Sequence, residues 1–400
     1  MSTSQFVPSP GNRATLAAII VLAVVLRLAA ALVIPDPNFP DAVGYRLAAA
    51  QLWSTGRMTA DYIMPLYPFL VGVVQPGWGQ LLLDITLSTA SVWLVYLLTS
   101  AIFADRLAAT LAALGCAIYP HFIFFSVVGL TETLFTTLVV AAMVAWYRGA
   151  FTIAAVCAVL SILTRPPMDL LAPVLVLYFA LVVHRLPWRT SVVKLLAYVL
   201  IYCALMSPWW LHNYRAHGTF IRLNIGGGMA FYTGNNPMST GGGIIGVDVN
   251  FDRFDKLPNS LERDAALWKA GMDYIREHPW GFFERLPAKF ARLWRPWPYT
   301  EQYHNPFYIV LSVLSFGPVA LLALFYLLRW GWRELPRIGP PVLFIGYLTG
   351  IHLVTIGSVR YRIPMEPFVI VFAGVAAARL LRSHPAARRI VEPAAETRPV

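Results

Sequence analysis

Long apolar runs, separated by short basic or proline- and glycine-rich breaks, set the pattern of this chain. A helix that crosses a bilayer needs roughly 20 consecutive apolar residues. Runs of that kind fall at 14–34, 80–103, 107–125, 127–147, 151–164, 167–183, 191–210, 305–329, 338–357 and 363–381. The fifth is short, and 66–74, which ends before PGWG, is too short to cross; it reads as a re-entrant or interfacial helix. The pattern predicts an all-α integral membrane protein, a polytopic bundle of about ten transmembrane helices. A first external loop, 35–79, carries interfacial helices, and a longer external segment, 211–304, separates an N-terminal transmembrane module, 1–210, from C-terminal transmembrane helices, 305–382. Residues 383–400 read as a cytoplasmic tail.

Composition agrees: 58% of the 400 residues are hydrophobic and 13% are charged, far from the usual soluble balance. The formal charge of +11 does not point to nucleic acid, because most Lys and Arg residues sit in short segments between apolar runs, where topology needs them. Cys116, Cys157 and Cys203 lie inside apolar stretches at no metal-ligand spacing and read as small core residues. The first run, with no small-residue cleavage site, reads as a retained signal anchor, and its mid-span Arg27 is expected to face the bundle or snorkel toward an interface.

Placing the N-terminus in the cytoplasm puts Arg106, Arg148, Arg185, Arg189, Lys194, Arg329, Arg333, Arg337, Arg379, Arg382, Arg388 and Arg389 inside, as the positive-inside rule asks. With that orientation Asp84, Glu132 and Asp169 fall near the outer starts of spans, and His121, His212 and His352 near the outer ends. Arg165, Arg360, Arg362, Glu301 and His304 flank the same level. Polar residues thus gather at the outer leaflet, whereas a transporter usually holds its polar site near the midplane. An outward-facing cavity is expected, in the cytoplasmic membrane and open to the periplasm or exterior.

Such a cavity can take one substrate from the membrane and another from outside, which suits group transfer from a lipid phosphate. That chemistry needs cations for the leaving phosphate, and Arg suits phosphate by its planar donor fork. It also needs a carboxylate to take the proton of an attacking hydroxyl. Asp41, in NFPDAVGYRLAAAQL, lies ahead of Tyr45, Ala49 and Leu52 at helical spacing. It can be that base, or it can merely cap the helix. Asp36, between prolines, reads as a turn residue. Glu132 sits inside an apolar run and is either functional or the structural partner of a base such as Arg165. Asp84 and Asp169 read as structural carboxylates at helix starts. The histidines form no metal signature, so no zinc site is expected, and dependence on a divalent metal is left open.

In NIGGGMAFYTGNNPMSTGGG, residues 224–243, glycines permit close backbone approach and Asn235 and Asn236 offer amides to sugar hydroxyls. The stretch lacks the GK[ST] ending of a phosphate-binding P-loop. Residues 278–298 mix Trp and Phe with Lys289, Arg292 and Arg295, the make-up of an interfacial helix; Lys289 is also a candidate for phosphate, with Arg222 behind it.

Together PDAVGYRLAAAQL, MPLYPFL at 64–70, TETLF at 131–135, TRPP at 164–167, PWWLHNYRAHGTF at 208–220, GGGMAFYTGNNP at 226–237 and RYRIPMEPF at 360–368 carry a resemblance over nearly the whole chain. The chain resembles the polyprenyl-phosphate-dependent glycosyltransferases of the C-type membrane fold, which include protein O-mannosyltransferases and lipid A aminoarabinose and galacturonosyl transferases. The resemblance implies that Asp41 is the catalytic aspartate of the first loop. It also implies a polyprenyl-phosphate-linked sugar as donor, no tightly bound cofactor, and a lipid, glycan or protein acceptor. Ala42 stands where O-mannosyltransferases carry a second acid, and DYIMPLYP lacks the lysine of the aminoarabinose transferases. Arg165, Arg360 and Arg362 are therefore the candidates for the donor phosphate, with Tyr45 a candidate sugar contact. The expected activity is an inverting glycosyl transfer; a lipid-linked substrate transporter or flippase, and a non-catalytic assembly protein, are the alternatives.

Overall fold

The computed structural model describes residues 10–34, 39–297 and 305–383. Asp36, Glu301, His304, Arg388 and Arg389 lie outside them. The described residues are mostly helical; they form no strand, and Ile245 and Val249 make an isolated bridge. As expected, this is an all-α membrane bundle. Five described stretches are long and apolar enough to cross a membrane: Arg13–Val33, Trp78–Phe103, Trp188–His217, Pro306–Val354 and Val359–Ser383. Shorter apolar helices lie at Arg106–Ile118, Glu132–Tyr147, Phe151–Thr164 and Met168–Val183.

The N-terminal half runs α1 (Pro10–Val33), α2 (Pro40–Thr55), α3 (Leu66–Val74), α4 (Trp78–Phe103), α5 (Arg106–Ile118), α6 (Pro120–Phe125), α7 (Glu132–Tyr147), α8 (Phe151–Thr164) and α9 (Met168–Tyr178). The predicted run 107–125 is two helices. Tyr119 is extended (φ −71°, ψ 115°), the conformation that Pro120 favours for the residue before it. The run 127–147 starts late, at Glu132, after a turn in which Gly129 takes φ +68°. Arg27 faces the bundle: it is fully buried and donates to Ser88 Oγ at 2.8 Å and to the carbonyls of Ala23 and Ala117 at 3.0 and 3.1 Å.

Next come α10 (Trp188–His217), α11 (Gly227–Gly234), α12 (Ser260–Glu277), α13 (Pro279–Trp294), α14 (Pro306–Tyr326), α15 (Trp332–Val354), α16 (Val359–Arg362) and α17 (Glu366–Ser383). The break predicted between runs 305–329 and 338–357 is instead continuous helix, relaxed by a π turn at Leu327–Gly331. Pro341 leaves the carbonyl of Arg337 without its usual helical donor, and the Tyr147 hydroxyl supplies one at 2.5 Å.

The core lies where α4, α5, α7, α8 and α17 meet, and small residues let these backbones approach. Ala108, Ala109, Ala112 and Ala113 of α5 are fully buried. Ala108 and Ala112 face Gly374 of α17, where a Cβ would stand 2.9 Å from Ala112 N and 3.0 Å from Ala108 O. Gly374→Leu is expected to lower the melting temperature of the purified protein in detergent, the signature of overpacking at about 1–3 kcal/mol. Leu380→Ala, on an exposed position of the same helix, should move it little.

Candidate active site

One cavity of about 190 Å³ gathers residues from across the sequence, among them Asp41 and Tyr45 of α2, Tyr62 and Met64, Thr131, Arg165, Asn224, Arg360 and Tyr361. Pro40 occupies the first position of α2, Phe39 is its N-cap, and no side chain caps it. Asp41 therefore sits in the first turn, where the helix dipole favours a carboxylate, and the capping reading gives way to a side chain that lines the cavity. Its side chain is 43% exposed, and Oδ2 accepts from Arg360 Nη1 at 2.5 Å.

Behind the cavity lies Glu132, in the first turn of α7 and fully buried. Its Oε1 accepts from Nη1 of Arg165, which follows the last residue of α8, and from Nε of Arg360. Glu132 is thus the partner of a basic group, as one of its two readings had it, and it holds two of them. The side chains of Arg165 and Arg360 stay 19% and 28% exposed, so both keep access to the cavity. Tyr361 stacks on His352, ring centroids 4.3 Å apart and nearly parallel, and the Arg165 guanidinium lies 5.8 Å from the Tyr361 ring centre.

The opposite wall is tied to the glycine-rich segment. Asn224 Nδ2 donates to the carbonyl of Tyr62 at 2.6 Å and Ile225 N to that of Asp61 at 2.8 Å. A Cβ on Gly44 would stand 3.2 Å from the Tyr62 hydroxyl, so the VGYR glycine makes room for it. Burial, and then the charge of Asp41, raise the pKa of Tyr62, which keeps its phenol a hydrogen-bond donor. Tyr45 OH lies 3.4 Å from Thr131 Oγ1.

Asp41, Glu132, Arg165, Arg360 and Tyr45 thus come together, and other candidates do not. Arg362 is fully buried on a different surface, paired with Glu366 at 2.7 Å, donating to the carbonyls of Leu293 and Arg295 and lying 3.5 Å from the Phe316 ring centre. Asn235 and Asn236 are buried, and their amides are consumed by backbone carbonyls: Phe231 and Val354 for one, Tyr232, Thr233 and Asp248 for the other. They hold the glycine loop rather than face a sugar. Lys289 is fully buried and donates to Asn235 Oδ1 at 3.3 Å, away from the cavity. Arg222 pairs with Asp169, which stands in the first turn of α9 and also accepts from Tyr202 at 2.7 Å. Asp84 is not at a helix start: α4 begins at Trp78, and Asp84 lies in its second turn, 1% exposed.

Tyr62, Thr131, Asn224 and Tyr361 were not singled out by sequence, although TETLF and RYRIPMEPF contain two of them. Glu366 was missed as well; it pairs with His121 at 3.1 Å, whose other ring nitrogen lies 2.9 Å from Ser312 Oγ. Among the described residues no group of three or more His, Cys, Asp or Glu side chains could hold a metal. The two carboxylates that could share a dication, Asp41 and Glu132, share the Arg360 guanidinium instead. This donor set does not fit a metal between them.

No family model and no curated protein matches the chain. Solved structures do. The oligosaccharyltransferase AglB from Archaeoglobus fulgidus, in complex with an inhibitory peptide and a dolichol-phosphate, aligns with TM-score 0.59 at 14% identity over 98% of this chain. The apo form of the A. fulgidus oligosaccharyltransferase aligns with TM-score 0.57 at 13% identity over 96% of the chain. The chain has the C-type membrane fold. It spans about half the length of these enzymes, 52% in both comparisons.

Breaking a buried ion pair costs roughly 3–5 kcal/mol. Because both arginines keep some access to the cavity, Glu132→Gln should destabilise the protein by the lower end of that range, seen as a fall in melting temperature larger than that of Asp41→Asn. Lys289 gives a pH-dependent expectation. Burial, and then the charge of Arg285, pull its pKa down to about 8. The unfolded chain keeps the proton up to about 10.4, so between these values the unfolded state binds more protons and stability rises with pH. The melting temperature should rise between about pH 7.5 and pH 9.5 by an increment that Lys289→Met removes.

Proposed function

We propose that this chain is a membrane glycosyltransferase that moves a sugar from a polyprenyl-phosphate donor to an acceptor hydroxyl at the external face of the cytoplasmic membrane. The observation that carries the reading is the single cavity in which Asp41 meets two guanidiniums anchored on a buried glutamate. The fold supports it, since the similar archaeal enzyme was solved with a dolichol-phosphate and a peptide bound. Kinship with the O-mannosyl, aminoarabinose and galacturonosyl transferases is part of the same proposal.

The resting site balances two carboxylates against two guanidiniums. A lipid-phosphate sugar adds negative charge and competes with Asp41 for Arg360. The phosphate then lies on Arg165 and Arg360, whose planar forks suit its oxygens, and Asp41 is released toward the acceptor. The acceptor oxygen attacks the anomeric carbon as the bond from that carbon to the phosphate oxygen breaks. The bonding pair leaves on the phosphate, where the two cations meet the charge as it grows, and the hydroxyl proton passes to Asp41. No general acid is needed, because the phosphate departs as an anion. One displacement inverts the anomeric centre. The charges of this site stand at helix ends: Asp41 opens α2, Glu132 opens α7, Arg165 follows α8 and Arg360 lies in the short α16. A transporter or flippase would place them near the bilayer midplane.

The test is transfer from synthetic polyprenyl-phosphate sugars by protein reconstituted in lipid. Asp41→Asn should fold normally and lose the 10²–10⁴-fold, in round terms about three decades, that a positioned base supplies. Arg360→Ala should weaken donor binding and slow turnover. Arg360→Lys should restore only part, because an ammonium lacks the bidentate fork. Turnover by Asp41→Asn at about the parent rate, or full function of both Arg360 variants, would overturn the assignment.

A further inference from the structure

A second cavity, of about 240 Å³, lies at the same end of the bundle and shares no lining residue with the first. Its walls come from Ala31 in the last turn of α1 and Ile34 just after it, from Arg46 of α2, from the first two turns of α4 (Gln80, Leu81, Asp84) and from the 127–129 turn. Successive helical residues are turned by about 100°, so Tyr45 and Arg46 direct neighbouring faces of α2 into the two cavities.

Asp84 is the telling residue. It is 1% exposed, and Oδ2 accepts from the Tyr67 hydroxyl at 2.7 Å. Tyr67, itself fully buried, also accepts from Gln80 Nε2 at 3.1 Å. A Cβ on Gly129 would stand 2.8 Å from that amide nitrogen, so the glycine makes room for the arrangement. The carboxyl group is therefore held in one orientation, yet its other oxygen, Oδ1, is buried and bonded to no described residue. An orphaned buried carboxyl oxygen is expensive; Asp84 lines the cavity, and a ligand hydroxyl there is a partner of the right kind. Arg46 lines the same space and adds a cation.

The flank of the cavity indicates where the ligand comes from. Leu32 and Val33, between the lining residues Ala31 and Ile34, are 80% and 79% exposed; Trp78, another lining residue, is 68% exposed and Leu82 52%. These surfaces belong to helices long and apolar enough to cross a membrane, and exposed apolar side chains on such helices suit acyl chains. We propose that this cavity binds the headgroup of a membrane lipid that carries hydroxyls beside a phosphate. The hydroxyl meets Asp84 Oδ1, the phosphate lies toward Arg46, and the chains run along the exposed ends of α1 and α4.

Native mass spectrometry of the purified protein tests this without any turnover, so its result is independent of glycosyl transfer. The lipids are phosphatidylglycerol, phosphatidic acid and phosphatidylcholine of equal chain length. The parent should retain phosphatidylglycerol over each of the other two by at least about fivefold, the worth of one hydrogen bond. Asp84→Asn should reduce that preference, and Ala31→Phe, which fills the cavity from α1 without touching the Tyr67–Asp84 contact, should remove it. Both variants are to be checked for an unchanged melting profile, and Ala31→Phe carries the test if Asp84→Asn unfolds. Equal retention of all three lipids would overturn the proposal, as would phosphatidic acid binding as well as phosphatidylglycerol, or a preference that survives Ala31→Phe.

Discussion

The buried carboxylate of Glu132 is the constraint on which the rest of the site depends. An ion taken out of water costs several kcal/mol after relaxation unless its partners are well placed, and in this bundle the partners come from far along the chain. Arg165 arrives where α8 ends, Arg360 from the short turn ahead of α17, and through Arg360 the network reaches Asp41 on α2. Satisfying one glutamate therefore fixes how four segments meet. It also leaves two guanidiniums aimed at a cavity without the freedom of long side chains on a surface. Charge fixed in place before substrate arrives is what stabilises a developing anion at least cost in reorganisation.

The membrane architecture was legible because a bilayer is the natural surrounding for repeated apolar runs of span length, and a helix satisfies its own backbone there. Its breaks were less so. The extended Tyr119 follows from Pro120, a signal present in IYPHF but masked by the unbroken apolarity around it. The late start of α7 follows from Gly129 at positive φ, and the continuous helix through Leu327–Gly331 from a π turn that no local residue type announces. Asp84 was misplaced because PGWG ends just before Gln80, and the helix takes up Trp78 and Gly79 as well.

Within the site, Arg165 and Arg360 were legible as polar residues in breaks between apolar runs, Glu132 as a charge inside one, and Asp41 and Tyr45 as polar residues at helical spacing in the first loop. Such reasoning fixes the level of a residue, not the direction it points. Asn235 and Asn236 stand at the expected end of the molecule and turn inward, where buried carbonyls of their own loop outbid any external hydroxyl. Lys289 likewise turns into the protein, between the glycine loop and the residues that follow α15; a Cβ on Gly241 would stand 3.1 Å from its Cγ.

The RYR stretch shows how direction decides role. Three consecutive residues of α16 serve three surroundings: Arg360 reaches Glu132 and Asp41, Tyr361 stacks on His352 with the Arg165 guanidinium 5.8 Å from its ring centre, and Arg362 locks to Glu366 one turn into the core. Arg360 and Arg362 are two residues apart and so about 200° apart on a helix; they cannot share a cavity. Each instead belongs to its own buried carboxylate. The Arg362–Glu366 lock, joined by His121 from α6 and by the carbonyls that end α13, sets the rotation of α16. That rotation presents Arg360 to the cavity. Arg362 thus bears on the cavity by positioning its neighbour rather than by lining it, and the same chemistry that suggested it as a phosphate residue, a guanidinium held by oxygen acceptors, is spent inside the protein.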